Sequence, residues 1–491
     1  MVDRNLNRRD FMKSIGVGAA AMPTMLHAAD QKPMNIILIM ADDVSQDLYG
    51  CYGNTEVKTP HIDRMAREGV MFKTAWATPM CSPTRAMIMT GRYGNRTGFY
   101  HNALRLVNSG ERANLVKNNL TFGKLLQDAG YATAIAGKWH VTGDAPHSES
   151  GGFDEHSLWI GKNELEALPD KPAFDGLWEN EDTTSRYWHP CIMQNHELVD
   201  TSPDDFATKI HTDFLCDFIE RKKDEPFLAY FPMAAPHGTR QGHTTTPLRG
   251  EVGEFKKVRG KEQEERFKAL NEYIDVCVGQ IVETVERLGL HDRTMIIFTS
   301  DNGTAVTAKT RAVERGARVP FVVYGGGIKK RGETQELMDL SDVLPTMLDY
   351  AGVRLPSGYE IDGQSLMPFL QGETDSHREW IYSYIATSQM MRTKRWLLEA
   401  VNPVLGLPRG RFYDCGNNRE RKGYKNVTDS TDPEVLTARK RFDEVLSQFP
   451  PVQKDHPYFE TRAGKRFMEA YTKPEAIEKH LHNHRNYEYS M

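Results

Sequence analysis

Five short apolar runs constrain this chain more than any other feature: "MNIILIM" (34–40), "YATAIAG" (131–137), "PFLAYF" (226–231), "RTMIIFTS" (293–300) and "VPFVVYG" (319–325). In each the apolar residues are continuous, whereas a strand with one wet face would alternate them with polar ones. Strands of this kind are covered on both faces, as parallel strands are. Helical patterns occupy intervals between them, at Pro60–Gly69, Thr121–Gly130 and Glu262–Leu288. The alternation predicts an α/β fold with a mostly parallel central sheet sandwiched by helices.

After "GQSLMPFLQGE" (363–373) the pattern changes. "EWIYSYI", "MMRTKRWLLEA" and "GRFYDC" read as shorter strands joined by turns, and "DPEVLTARKRFDEVLSQF" as a helix. The expected division is an α/β domain over 31–374 and a smaller C-terminal α+β subdomain with its tail over 375–491. The segment Trp159–His196 is polar and turn-rich, holds three of the seven tryptophans, and is expected to be a surface insertion. Its Trp159, Trp178, Trp188, Tyr187 and Arg186 offer aromatic faces for sugar rings and a guanidinium for a neighbouring anion, or they anchor a long loop.

The first 30 residues carry a separate message. "NRRDFMKSIGVGAAAMPTMLHAAD" has paired Arg8 and Arg9, then an apolar stretch and small residues at Ala28 and Ala29, the pattern of a twin-arginine export signal. No stretch is long and apolar enough for a membrane span. The expected location is therefore periplasmic or exported. A net charge of −5, from 62 basic and 67 acidic residues, gives no global attraction to nucleic acid or an acidic membrane. Anion binding has to be local. Six cysteines without a CxxC pair indicate neither a zinc ribbon nor a dense disulfide scaffold, and leave one or two bridges open. The tail "KHLHNHR" brings His480, His482 and His484 close in sequence, a pattern that a solvated polar terminus explains better than a metal does.

In open α/β sheets ligands bind at the carboxyl ends of strands. The first run ends in Ala41-Asp42-Asp43 and the second in Gly137-Lys138-Trp139-His140. The third leads to Pro236-His237 and the fourth to Asp301-Asn302-Gly303. Singly, each has a plain reading as a cap or turn. Together they sort into hard oxygen donors (Asp42, Asp43, Asp301, Asn302), suited to Ca²⁺ or Mg²⁺, and cations or proton carriers (Lys138, His140, His237).

A further stretch, "MCSPTRAMIMTGRY" (80–93), reads as a helix start: Pro83 suits a first turn, and good helix formers follow. Cys81 then sits where unpaired N–H groups and the helix dipole favour an anion, with Arg85 one turn on. A divalent cation ringed by such groups is a clamp for a tetrahedral oxyanion, sulfate or phosphate.

With these residues in view, the chain resembles the type I, formylglycine-dependent sulfatases of the alkaline phosphatase superfamily. The resemblance rests on Cys81-Ser82-Pro83-Thr84-Arg85 with Thr90-Gly91-Arg92, and on "ADD", "TPHIDRMAREGVMF", "GKWH", "APH", "SDNG" and "ERGARVPFVVYGGG", in order from residue 34 to about 372. It implies an alkaline phosphatase-like fold and oxidation of Cys81 to Cα-formylglycine by a formylglycine-generating enzyme. It also implies a Ca²⁺ ion, with Mg²⁺ the lesser candidate, held by Asp42, Asp43, Asp301, Asn302 and the residue at Cys81. Arg85 and Lys138 would orient the formylglycine, His140 would act as base, His237 as general acid, and Lys309 would bind sulfate or share the acid role. Around Lys309 the chain reads "KTRAVERG" where the family commonly has Lys-Gly-Thr-Leu-Tyr-Glu-Gly-Gly.

The implied reaction is balanced. One hydroxyl of the hydrated aldehyde attacks sulfur and displaces the alcohol; the other then loses its proton, the carbon–oxygen bond to sulfate breaks, and the aldehyde re-forms. A sulfated carbohydrate is the expected substrate. The alternatives are a phosphoester or phosphonate hydrolase of the same superfamily, and a non-catalytic sulfoglycan-binding protein.

Overall fold

The computed structural model describes residues 34–106, 111–168, 174–181, 183–249, 257–304, 309–418, 423–450, 455–473 and 475. The export-type segment and the histidines of the tail lie outside the described residues.

The run 34–40 forms the strand Asn35–Ala41, buried throughout. It pairs in parallel with Thr294–Ser300 on one side and Phe227–Pro232 on the other. Ala132–Gly137 and then Glu155–Trp159 continue the parallel order outward. These five strands are the middle of an 11-stranded sheet.

Double coverage explains the unbroken apolar runs. Ile36, Leu38 and Met40 enter one core with the helices Cys81–Thr90, Phe122–Asp128 and Val343–Ala351. Ile37, Ile39 and Ala41 enter the other with Pro60–Glu68, Ala207–Arg221 and Gly260–Arg287. Truncating one such residue, Ile37→Ala, would remove buried surface and leave a cavity, a cost of about 2–5 kcal/mol.

Two expectations need correction. The run 319–325 is not parallel: Pro320, which has no N–H to give a ladder, divides it into Arg318–Val319 and Phe321–Gly325, and the latter is antiparallel to both Thr294–Ser300 and Val70–Trp76. An antiparallel strand covered on both faces carries the same apolar run as a parallel one, so composition does not separate them. Nor is 159–196 merely superficial. Ile192–Gln194 extends the main sheet beside Glu155–Trp159, and Tyr187 and Trp188 are buried against Phe206. Trp188 is thereby removed from any sugar-stacking role.

The C-terminal region forms a five-stranded antiparallel sheet of Trp380–Ile385, Ser388–Thr393, Trp396–Val401, Arg411–Asp414 and Lys425–Asn426. The helix Pro433–Leu446 follows, with Pro433 in its first turn and the Asp432 side chain accepting from Glu434 N. The sheet docks on the nucleophile side of the α/β unit, where Ser383 Oγ donates to Ala77 O at 2.9 Å and Ala386 N to Tyr100 O at 2.6 Å. All six cysteines are unpaired, so the bridges left open by the sequence are not formed.

Candidate active site

Register builds the site. Ala41 is paired with Ser300, and Asp301 N donates to Ala41 O at 3.0 Å, so Asp42 and Asp301 leave adjacent strands side by side. Asp42 N donates to Ala235 O at 3.0 Å, and Lys138 N to Pro232 O at 2.7 Å, which brings the ends of the other two strands to the same rim. Gly137 makes the second of these approaches possible: its φ is 123°, and a Cβ there would stand 2.2 Å from Pro232 O.

In a continuing strand Asp42 and Asp43 would point to opposite faces. Asp43 instead adopts φ 66°, a left-handed conformation that aspartate tolerates, and both carboxylates converge. Cys81 Sγ lies 3.5 Å from Asp42 Oδ1 and 3.7 Å from Asp43 Oδ1. The thiol opens the helix Cys81–Thr90, which is buried along its whole length and ends at Gly91 with φ 68°. Burial, with the charges of Asp301 and Asp42, holds the Cys81 thiol well above its ordinary pKa, so an unmodified thiol is a poor nucleophile here.

Each carboxylate meets at least one cation. The fully buried Arg85 directs Nε and Nη2 to Asp301 Oδ2 at 3.2 and 2.9 Å, Nη2 also to Asp42 Oδ2 at 3.3 Å, and Nη1 to Lys138 O at 2.7 Å. Lys138 Nζ reaches the same Asp42 oxygen at 2.5 Å. Burial alone would raise Asp42, but the charges of Lys138, His237, Arg85 and Lys309 outweigh it and hold the carboxyl well below its usual range. Burial and the neighbouring Asp42 push Asp301 the other way, up to about 6. Lys309 Nζ stands 2.5 Å from Asp43 Oδ1 and 3.1 Å from Cys81 Sγ. Its neighbour Thr310 donates its backbone N–H to Pro79 O at 2.7 Å and so ties this segment to the loop before the nucleophile helix.

His237 Nε2 lies 3.3 Å from Asp43 Oδ2 and 3.4 Å from Lys309 Nζ. Burial is the main reason its pKa falls to about 4. Arg186, left open by the sequence as a contact for a substrate anion, is committed elsewhere. Glu179 takes its Nε and Nη2 at 2.8 and 2.9 Å, and Nη1 points at His237 Nδ1 from 3.0 Å. Glu179 was not singled out by sequence reasoning, because only the fold reveals that Arg186 needs a partner. His140, at φ 55°, is joined to the nucleophile helix through its carbonyl, which accepts from Ser82 Oγ at 2.7 Å. Its ring Nδ1 is buried without a partner, and burial with nearby Lys138 and Arg85 holds the ring neutral. Arg105, also missed, donates from Nη2 to Ser82 Oγ at 3.0 Å. A cavity of about 290 Å³ opens beside Asp43 between Gly238, His243, Gln263 and Phe267.

The residues suit a hard divalent cation. Ligand atoms of Asp42, Asp43, Cys81 and His237 all lie within 4.8 Å of one another. Asn302 Nδ2 donates to Asp43 Oδ1 at 2.7 Å, while Asn302 Oδ1 is buried with no hydrogen-bond partner, as an oxygen reserved for a cation would be. Asp301 Oδ1 accepts from Asp43 N at 3.1 Å and keeps a lone pair for a further contact.

Comparison with known proteins gives this constellation a family. Residues 34–353 match the family model described as Sulfatase. N-acetylgalactosamine-6-sulfatase of Homo sapiens is 31% identical over 387 residues, covering 73% of this chain and 68% of that protein. Arylsulfatase H of Homo sapiens is 30% identical over 444 residues, covering 74% and 76%. Among solved structures, Ps i-CgsB superposes with a TM-score of 0.69 at 24% identity, covering 91% of this chain and 99% of that one. The structure of BT4656 in complex with its substrate D-glucosamine-2-N,6-O-disulfate gives 0.62 at 21%, covering 86% and 100%. The chain belongs to the type I sulfatase family of the alkaline phosphatase-like superfamily and is a sulfuric ester hydrolase.

Proposed function

We propose that the protein hydrolyses sulfate monoesters of a sulfated carbohydrate, using formylglycine formed from Cys81 and a Ca²⁺ ion held by Asp42, Asp43, Asp301, Asn302 and the modified residue. The observation that carries this reading is the position of Cys81: first in a buried helix, against two carboxylates and an ammonium. Its Sγ stands for the formylglycine oxygen.

Charge supports a singly charged ester. Asp42, Asp43 and Asp301 are matched by Arg85, Lys138 and Lys309, so the cluster is near neutral by itself. A divalent ion would add two positive charges, enough for one attacking oxyanion and one sulfate monoester, whereas a phosphate monoester dianion leaves an excess of negative charge. When bound, the ion would polarise a sulfate oxygen and favour the deprotonated nucleophile. Arg85 and Lys138 would orient the carboxylates around the nucleophile. His237 and Lys309, each in contact with Asp43, would deliver a proton to the leaving oxygen. His140, neutral and with an unpartnered ring nitrogen, would take the proton of the second hydroxyl in the step that expels sulfate.

The sugar reading draws on relatives that act on sulfated saccharides, N-acetylgalactosamine-6-sulfatase among them. Export by the twin-arginine-type segment, maturation by a formylglycine-generating enzyme, and a catalytic unit over 31–374 with a subdomain over 375–491 belong to the same proposal. Among the described residues no helix is long and apolar enough to cross a membrane.

The test is a mass spectrum of peptide 74–85 from protein matured beside a formylglycine-generating enzyme, followed by turnover of matched sulfate, phosphate and phosphonate esters and of sulfated oligosaccharides. An aldehyde at Cys81 with sulfate preference supports the proposal. A persistent thiol, with a control peptide converted, removes the covalent route, and phosphate preference moves the chain to the rival activity.

A further inference from the structure

A second group of metal-type ligands lies away from the nucleophile. His147 follows the strand Ala132–Gly137 in a loop, His156 is second in Glu155–Trp159, and His196 sits in the tight turn between Ile192–Gln194 and Glu197–Leu198. Ring centroids of His147 and His156 are 4.1 Å apart, and His196 stands 4.8 Å from each. One ligand nitrogen from each can be chosen so that all lie within 4.8 Å of one another. The site is at the start of Glu155–Trp159, while Trp159, at the other end, packs near Arg186 on the catalytic side.

Two features distinguish this group from a chance cluster. His156 is fully buried, its Nδ1 has no partner, and its Nε2 is met only by the His196 backbone N–H at 3.3 Å, a long bond. His147 Nδ1 is likewise buried and unpartnered. Imidazole nitrogens left unsatisfied in this way are the exception in folded proteins. Secondly, the turn disfavours its own residue: Asn195 and His196 have φ 47° and 73°, the two left-handed positions of a type I′ hairpin, where glycine is preferred at the second. A histidine held there against backbone preference brings a third imidazole to the pair.

We propose that His147, His156 and His196 form a second metal site, for zinc, separate from the oxygen-rich catalytic cluster. Three imidazoles suit zinc and exclude calcium, which takes oxygen ligands. Tetrahedral nitrogen ligands at ~2.0–2.1 Å stand about 3.4 Å apart, so modest side-chain rotation would close the group, with water as fourth ligand. The bound ion would clip the loop carrying His147 to the hairpin at the edge of the main sheet.

The experiment measures zinc retained by the full-length protein after dialysis against excess calcium, alongside thermal melting with and without zinc. It compares the native chain with His147→Ala and His196→Gly. Any zinc taken by the catalytic cluster is common to all three. The native chain should hold one more equivalent than either variant and melt at higher temperature with zinc. His196→Gly relieves the turn, so it should melt no lower than the native chain without zinc and show a smaller rise with zinc than the native chain does. Its turnover of a sulfate ester should be unchanged. Equal zinc content in the three proteins, or an unchanged native melting temperature, overturns the proposal.

Discussion

Lys309 Nζ holds Asp43 Oδ1 at 2.5 Å, on the side of that carboxylate which faces Cys81. The ammonium therefore occupies ground that a calcium ligand set would share, and the two positive charges compete for one oxygen. Lys309→Ala should lower kcat by about 10²–10³-fold through loss of a proton donor and sulfate contact. It should also leave calcium affinity unchanged or tighter, because a competing cation is gone. Calcium titration of both proteins with steady-state kinetics checks this. Weakened calcium binding would show that Lys309 supports the ligand set instead.

Asn302 separates ligand from scaffold. Its Nδ2 has two protein acceptors, Asp43 Oδ1 and Gly303 O, while its Oδ1 has none. Asn302→Ala should weaken calcium binding by at least about 10-fold. Asn302→Asp, which retains the oxygen, should recover most of it. Isothermal titration of metal-stripped protein gives both numbers, and equal affinities for the two variants would mean that the buried oxygen serves no ion.

Arg186 acts on the site through His237. With Glu179 fixing two of its nitrogens, the third is left to face His237 Nδ1. An arginine nitrogen only donates, while Gly238 O, 2.7 Å from the same Nδ1, only accepts, so Arg186 competes with that carbonyl and is the contact that favours the tautomer with its proton on Nε2, toward Asp43. Arg186→Lys cannot span both partners and should lower kcat by about 10-fold with little change in KM. Because His237 acts as an acid, the substitution should also shift the alkaline limb of the pH–rate profile, where that proton is lost. A change confined to KM would instead place Arg186 in substrate binding.

These contacts show where sequence reasoning reached and where it stopped. Asp42, Lys138 and Asp301 were legible because a strand's end can be read from its apolar run, and parallel strands deliver their ends to one rim. The convergence of Asp43 with Asp42 depends on one left-handed residue, which no periodicity announces. The antiparallel Phe321–Gly325 was misread because burial on two faces leaves the same pattern in either direction. Arg186 and Glu179 come from an irregular segment, where local sequence says little about which partner 51 residues away lies opposite. The C-terminal strands were readable from turns and length, but not the hydrogen bond by which Glu399 of that sheet holds the Glu314 N–H on the segment after Lys309.

Stability should fall as the solution is made acidic, and His211 contributes in a defined window. It is buried beside Ser157 Oγ at 3.0 Å, and burial lowers its pKa from 6.5 to about 3. The unfolded chain takes up this proton below about 6.5 and the folded chain does not. The stabilisation is thus complete above pH 6.5 and is lost progressively toward pH 3, by about 1.4 kcal/mol per pH unit for one histidine. His211→Gln should flatten the dependence of urea-unfolding free energy on pH by one proton in that window. An unchanged slope would show that His211 is protonated in the folded protein.

The C-terminal sheet also supports the catalytic segment. Arg392 Nη1 bonds Glu314 Oε1 at 2.6 Å with both side chains fully buried, and Glu399 accepts the Glu314 N–H at 2.5 Å. Ala400 N donates to Ala312 O at 2.9 Å, so the stretch following Lys309 is pinned to this sheet along its length. Removing Arg392 leaves the buried Glu314 carboxylate to the longer contact with Arg318 Nη1 at 3.8 Å, and Arg392→Met should cost about 3 kcal/mol. Arg392→Met combined with Glu314→Gln removes both charges and should be less damaging than Arg392→Met alone. Lys309 lies five residues from Glu314, so Arg392→Met should also lower kcat in protein that remains folded at the assay temperature. Urea unfolding and kinetics on the two single variants and the double variant test both effects. Strict additivity would show that the pair does not act as a unit, and an unchanged kcat would separate the sheet from the placement of Lys309.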